Sequence, residues 1–408
     1  MSLKNQLKIQ VFLMFAIWGS WLTTLGSYMI VTLQLEGAAV GAVFSTLGVG
    51  ALTMPAIMGI LADKWVSAKK LYMFCHTGCA VTLLLATQAS SGTAMFWVIL
   101  FNCLTFMPSM ALYNSMAYYR LQQVGLNVVD TFPPIRVWGT VGFIVAMLGV
   151  SLAGWELSAN QLYVGATLSV VSVLFTAFLP HIPVFNTGES KSFAARLGLD
   201  ALSLFKDPKM AVFFIFSMLL GILLQVTNIF GNTFIHSFDA VAEFKGSYLV
   251  EHASLVLSLS QMSETLCILM IPFFLRRYGI KTVMMISMFA WFLRYGLFAY
   301  GDPSAFGTLL LVLSMLVYGV AFDFFNVSGS VYVDKEAPPS NRASAQGLFQ
   351  MMVNGIGNIC GGLLSGYVVQ KYTTAGVTQW HDVWVFFAAC ALGLFIVFPF
   401  VFRYKHKG

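Results

Sequence analysis

Twelve apolar runs, each long enough to cross a bilayer as a helix, limit what this chain can become. A span needs about 20 mostly apolar residues. The runs fall at 8–32, 38–62, 70–88, 94–122, 134–155, 160–181, 210–236, 251–275, 281–300, 305–331, 343–369 and 382–402, separated by Gly, Pro or charge. They far exceed the ~10-residue alternating strands of a membrane barrel, so an all-α integral membrane protein is expected. Composition agrees. Of 408 residues only 9% are charged, against about 25% in a soluble domain, too few to cover the surfaces of two or three soluble domains. The first run is longer than the ~7–15-residue core of a signal peptide and carries Trp18, Trp21 and Tyr28, which predicts a retained first span.

The remaining charges report topology. With a cytoplasmic N-terminus, eighteen of the 22 Lys and Arg fall on the cytoplasmic side, Lys245 and Lys371 face outward, and Arg136 and Arg294 lie inside spans. The positive-inside rule then puts both termini in the cytoplasm. Cations spread over short loops form no patch interleaved with aromatics, so nucleic acid is not an expected partner despite the net charge of +6. All six cysteines lie in apolar runs and read as small hydrophobes, not as a disulfide or zinc framework. His76 and His236 are isolated, so no metal site is expected. The glycosylation match "NVS" at 326–328 lies inside a span, and "GNICGG" lacks the preceding strand of a nucleotide site, so it reads as helix packing. No Ser/His/Asp or phosphate-loop arrangement appears, and no enzyme activity is expected.

The longest loop, 182–209, divides the spans six and six. This predicts an N-terminal six-helix bundle over 1–181, a cytoplasmic linker over 182–209, and a C-terminal bundle over 210–408. Within the linker, "SFAARLGLDALSLF" is amphipathic and suits a membrane surface. Each half carries a Pro followed by a charged turn at its second-to-third span junction, "MPAIMGILADKWVSAKK" and "IPFFLRRYGIKT", a weak internal repeat. Two parallel six-helix halves are the plan of major facilitator transporters. The run from Gly59 to Trp65, "GILADKW", resembles the second-loop motif of that superfamily, in which Asp63 pairs with basic residues between helices.

Of the sixteen acidic residues only Glu264 in span 8 and Asp323 in span 10 lie deep in the membrane. A charge at the bilayer centre costs at least ~2.5–3.5 kcal/mol on insertion scales, so it commonly faces a cavity and serves solute or proton movement. Other polar residues collect by helical period. Gln225 and Asn228 share a face of span 7, and Gln261 and Glu264 a face of span 8. Arg136, Thr140 and Phe143 follow i, i+4, i+7 in span 5, while Tyr318 and Phe322 are i, i+4 in span 10 beside Asp323. Ser20, Thr24, Ser27 and Tyr28 in span 1, and Gln346, Gln350, Asn354 and Asn358 at four-residue intervals in span 11, read first as interhelical hydrogen bonding. Spans 3, 6 and 12 are almost free of strongly polar residues and read as lipid-facing. Arg294 in span 9 reads as snorkelling outward or pairing with a carboxylate.

Amides, carboxylates, aromatic rings and one guanidinium suit a neutral, planar, hydroxyl-bearing solute. Amides match the edge of a nucleobase, rings stack on it, and carboxylates accept from ribose hydroxyls; a sugar would fit nearly as well. The runs "FAIWGSWLTTLGSYM", "FPPIRVWGTVGFI", "LLQVTNIFGNTFIHSF", "SQMSETLCILMIPFFLRRYGIK", "YGVAFDFFNVSGS" and "NRASAQGLF" resemble the bacterial nucleoside:proton symporter family of the major facilitator superfamily, from residue 1 to about 405. The resemblance implies proton-driven uptake of purine and pyrimidine nucleosides across the inner membrane by alternating access. It leaves open whether the range is broad or narrowed to xanthosine. Positions matching the site-bearing runs are Arg136, Thr140, Phe143, Gln225, Asn228, Gln261, Glu264, Tyr318, Phe322 and Asp323. Asp323 and Glu264 are expected to couple the proton, because a protonated carboxyl is neutral and lowers the energy of the reorienting states, with Arg136 bearing on them by proximity. No cofactor beyond the coupling proton is expected, and the chain is expected to act as a monomer in the bilayer. A proton-coupled sugar symporter, a drug exporter and a transport-inactive membrane sensor are the rival readings.

Overall fold

The computed structural model describes residues 1–184, 199–338, 342–402 and 404. Among them, nine helices are long and apolar enough to cross a membrane. One of the nine, Ala253–Tyr300, is two helices joined at Gly279, and two further helices at the N-terminal end complete twelve. In chain order, α1 is Leu3–Gly19, α2 Gly37–Lys64, α3 Ala68–Ala86, α4 Gly92–Gln123, α5 Val128–Leu152 and α6 Asn160–Ala177. The second six are α7 Pro208–Ser237, α8 253–278 and α9 280–300, α10 Ala305–Glu336, α11 from Arg342–Gln350 to Gly357–Lys371, and α12 Trp380–Val401. This is the twelve-span helical membrane architecture that the apolar runs dictate, since a helix satisfies most of its backbone polar groups internally.

Local sequence explains several helix starts. Ser2, Ser67, Ser91, Asp207 and Ser304 accept backbone N–H groups at the starts of α1, α3, α4, α7 and α10. Between α8 and α9 the chain reverses at Gly279, whose φ of 75° and ψ of 166° a side chain would resist. The two prolines of the weak repeat, Pro55 and Pro272, lie inside α2 and α8.

Two spans depart from regular helix. After α1 the chain turns through 20–24, re-forms a short helix at Leu25–Ser27, and ends in a π-turn at Tyr28–Thr32. The two parts of α11 are joined by a π-turn, Met351–Ile356. An antiparallel pair, Thr373–Thr374 with Val377–Thr378, lies between α11 and α12. Its two-residue turn, Ala375 and Gly376, holds φ of 51° and 79°, the geometry of a tight hairpin. The amphipathic linker segment falls partly on 192–198, outside the described residues. Its remainder belongs to a 3-10 helix, Leu199–Lys206, in which Phe205 packs on Phe214 with ring centroids 5.3 Å apart.

The chain divides into two compact units, Met1–Leu35 with Ala42–Phe193, and Glu36–Gly41 with Ala194–Gly408. In the first, α1 lies close against α5 because two glycines remove side chains at the crossing. A Cβ on Gly19 would strike the Phe143 carbonyl, and one on Gly142 the Phe12 carbonyl. Polar residues tie the remaining helices. Asn102 donates to Thr82 at 2.9 Å, and the Tyr72 and Ser172 hydroxyls share a bond of 3.4 Å.

In the second unit, α10 is held by α8 and α9. Ser263 donates to the Leu316 carbonyl at 2.5 Å, Ser287 donates to the Ala321 carbonyl, and Gly319 sits where a Cβ would come within 2.6 Å of the Ser263 carbonyl oxygen. Helices α7 and α11 approach through Gly221 and Gly361 in the same way. Of the nine long apolar helices, the one carrying span 7 is the most enclosed and span 12 the least; the bare apolar face of span 12 is thus turned outward, as lipid contact requires.

Candidate functional site

In the first unit, α5 carries three of the residues singled out by sequence. Arg136 lies with its guanidinium carbon 4.1 Å from the centroid of the Phe15 ring of α1. Gly139 makes this approach possible, since a Cβ there would sit 2.7 Å from the arginine Nη1 and 2.8 Å from the Phe15 ring. Thr140 is half-buried one turn further, and Phe143 is buried where its backbone meets Gly19. The i, i+4, i+7 series thus lies along the α1–α5 crossing. Sequence reasoning did not single out Phe15, although its large ring is the surface on which Arg136 rests.

In the second unit, the span 10 residues form one wall. The Tyr318 and Phe322 rings are parallel within 4°, with centroids 5.7 Å apart. Trp291 of α9 meets Tyr318 edge-on at 6.1 Å. Asp323 is 3% exposed, and among the described residues its Oδ2 has no hydrogen-bond partner. Glu264 of α8 is half-buried and close enough for its charge to act on both Asp323 and Tyr318. Gln261 lies on the same helix one turn earlier, half-buried. A cleft beside this wall, lined by Leu220, Leu224, Trp291, Phe322, Asn326 and Val353 among others, has a volume of ≈10 Å³, room for about one water.

Span 7 contributes Gln225 and Asn228 from α7. Gln225 is buried, and its Nε2 donates to Asn358 Oδ1 of α11 at 2.5 Å; Asn228 is half-buried. The amide series of span 11 is not one stripe. Gln346 accepts from the Ser330 hydroxyl at 3.0 Å and donates to its carbonyl at 2.7 Å. Asn354 donates to Gln350 within the helix at 2.7 Å, and Asn358 turns to Gln225. At 3.6 residues per turn a four-residue interval drifts by about 40° at each step, so the four amides do not share one face. In span 1, Thr24 donates to Gln161 at 2.6 Å and Ser20 to the Ile17 carbonyl at 2.8 Å; these are packing bonds.

Arg294 corrects its sequence reading. It is 2% exposed, so it does not snorkel, and among the described residues no carboxylate pairs with it. Its Nη1 donates to the Ser314 carbonyl at 2.8 Å, and its guanidinium carbon lies 4.6 Å from the Tyr318 centroid and 5.3 Å from that of Phe298. Spacing within span 9 put Trp291 and Arg294 at i, i+3, a signal that both face α10, but nothing local names their partner.

The site thus offers parallel rings, a buried carboxyl on which a second one acts, and a buried amide, Gln225, held by Asn358. These parts suit an aromatic, hydroxyl-bearing solute and a proton. A family model described as nucleoside H+ symporter matches residues 1–407. The chain is 60% identical over 406 residues to the nucleoside permease NupG of Escherichia coli (strain K12), covering 100% of this chain and 97% of that protein. It is 54% identical to the xanthosine permease of the same organism over 406 residues, with the same coverage. The crystal structure of nucleoside transporter NupG matches it with a TM-score of 0.95 at 60% identity, over 99% of this chain and 100% of that one. The chain belongs to the nucleoside H+ symporter family.

Proposed function

We propose that this chain is a proton-coupled symporter that imports nucleosides across the bacterial inner membrane by alternating access of its two six-helix halves. It works as a monomer with both termini in the cytoplasm, and the proton is its coupling ion, with no further cofactor. One observation carries the reading: a buried carboxyl, Asp323, with an oxygen that has no hydrogen-bond partner among the described residues, adjoins the stacked pair Tyr318–Phe322 and lies within electrostatic reach of Glu264.

Each residue then has a role. Phe322 and Tyr318 stack on the base, with Phe143 as a further apolar surface. Gln225, held by Asn358 through its NH2, keeps its carbonyl oxygen for a donor on the solute, while Asn228 and Gln261 read the remaining polar edge. Arg136 and Thr140 serve ribose or base oxygens. Asp323 and Glu264 exchange the proton and accept ribose hydroxyls. A membrane-buried carboxylate is costly to move between states and a neutral carboxyl is not, so protonation makes reorientation possible.

The test is uptake into proteoliposomes containing the purified chain, with an imposed proton gradient and labelled uridine, adenosine or xanthosine. Gradient-dependent accumulation, competed by excess nucleosides and not by oligosaccharides, is the expected result. Accumulation that ignores the proton gradient, or competition by sugars, overturns the proposal. The relative uptake of xanthosine and uridine sets the range.

A further inference from the structure

We infer that Arg294 is a positioning residue for the nucleoside site, acting through the Tyr318 ring that its guanidinium covers. This rests on the reading of Tyr318 as a surface for the base. Arg294 is almost fully buried and, among the described residues, meets no carboxylate. A buried cation in a membrane helix is expensive and is kept where it serves a function or where the fold satisfies it. Here the satisfaction is partial. One nitrogen donates to the Ser314 carbonyl, Ser314 returns a bond from its hydroxyl to the Arg294 carbonyl at 3.1 Å, and the buried Nε has no partner among the described residues.

The remaining stabilisation comes from the rings. The guanidinium carbon is 4.6 Å from the Tyr318 centroid, closer than to Phe298, and a desolvated cation over a ring is a strong contact. Tyr318 is thereby fixed by Arg294, by the Trp291 edge and by the parallel Phe322 ring. Among the described residues Arg294 touches the Tyr318 ring and the Ser314 carbonyl and no carboxylate, so it bears on the ring that receives the base more directly than on the proton.

The experiment compares Arg294→Met, Arg294→Lys and wild type, purified as full chains and checked for monodispersity, in uridine binding and in proteoliposome uptake. Met keeps the length and apolar stem but loses the cation; Lys keeps a cation over the ring. The expected result is a KM for uridine raised about tenfold in Arg294→Met, with Vmax and the accumulation ratio at saturating uridine unchanged, and recovery to within about threefold in Arg294→Lys. In a Tyr318→Phe background the loss from Arg294→Met persists; in a Tyr318→Leu background it vanishes, because no ring remains to be positioned. Equal KM in Arg294→Met and wild type, a loss that adds in full to Tyr318→Leu, or a fold that survives Lys but no neutral residue would each overturn the inference, the last by making Arg294 a purely structural cation. Failure of the wild-type chain to bind uridine would instead strike the proposed function.

Discussion

Asn358→Leu isolates the contribution of a hydrogen bond that spans two helices distant in sequence. Gln225 and Asn358 are 5% and 9% exposed, and the Gln225 Nε2 to Asn358 Oδ1 distance is 2.5 Å. The Gln225 side chain has little freedom to find another acceptor, since Gly361 of α11 packs where a Cβ would come within 3.0 Å of its Cβ and Cγ. Leucine keeps the branching of asparagine and its number of side-chain heavy atoms, is somewhat larger, and offers no acceptor, so the substitution strands an amide donor rather than opening a cavity. Leaving a buried neutral donor unmade costs about 1–3 kcal/mol. If Gln225 escapes that cost by rotating out of its binding orientation, the penalty appears in solute affinity, as a rise in KM of about fivefold to more than a hundredfold. The assay is uridine binding by calorimetry, with uptake kinetics in proteoliposomes and a melting curve for the fold. Coupling is expected to survive, because Asn358 carries no proton. A KM within twofold of wild type, with the melting temperature also unchanged, would refute the reasoning that Gln225 is held for the solute by its partner.

Further outcomes follow from the carboxyls and the helix crossing. Asp323→Asn and Glu264→Gln each remove an ionisable group, and at least one is expected to abolish pH-driven uphill accumulation while retaining uridine exchange across the membrane; full accumulation in both would remove the acids from the coupling mechanism. Gly142→Val places a side chain against the Phe12 carbonyl, and overpacking costs about 1–3 kcal/mol; it should lower the melting temperature and weaken uridine binding by displacing Thr140 and Phe143. Gly149→Ala, on the same helix with nothing within 4 Å of its Cβ, is the control and should change neither measurement.

The fold was largely legible because bilayer thickness translates directly into run length, and the breaks between runs carry their own chemistry. The end of span 8 and start of span 9, read at 275 and 281, bracket the Gly279 reversal. Grouping by helical period was also informative where helices are regular: Arg136, Thr140 and Phe143 do follow one crossing, and Tyr318 and Phe322 do stack. It failed in α11, where a four-residue step drifts by about 40° on a helix of 3.6 residues per turn, and Gln346 goes to Ser330 while Asn358 goes to Gln225. No local pattern could supply the latter pair, whose members lie 133 residues apart. Arg294 was misread for a related reason. Charge suggests water or a carboxylate, and the actual partner is the face of a ring on the next helix, a contact that leaves no periodic trace.

The two arginines inside spans suggest how the charge states of the carrier are limited. Arg136 lies over Phe15 and Arg294 over Tyr318, and a guanidinium does not release its proton under transport conditions. Among the ten candidate site residues, only Glu264 and Asp323 can then change charge during a cycle near neutral pH, so the site can move at most two protons with each nucleoside. A one-unit pH gradient supplies about 1.36 kcal/mol per proton, which supports about tenfold accumulation if one proton moves and about a hundredfold if two do. Proteoliposomes clamped at zero membrane potential read this number directly from the steady-state uridine ratio. A ratio near ten would mean that the two acids share a single exchangeable proton, and Glu264→Gln and Asp323→Asn would then fail together or show which acid dispenses with the other. A ratio approaching a thousand would require a third titrating group, and it would refute the assignment of coupling to these two carboxyls alone.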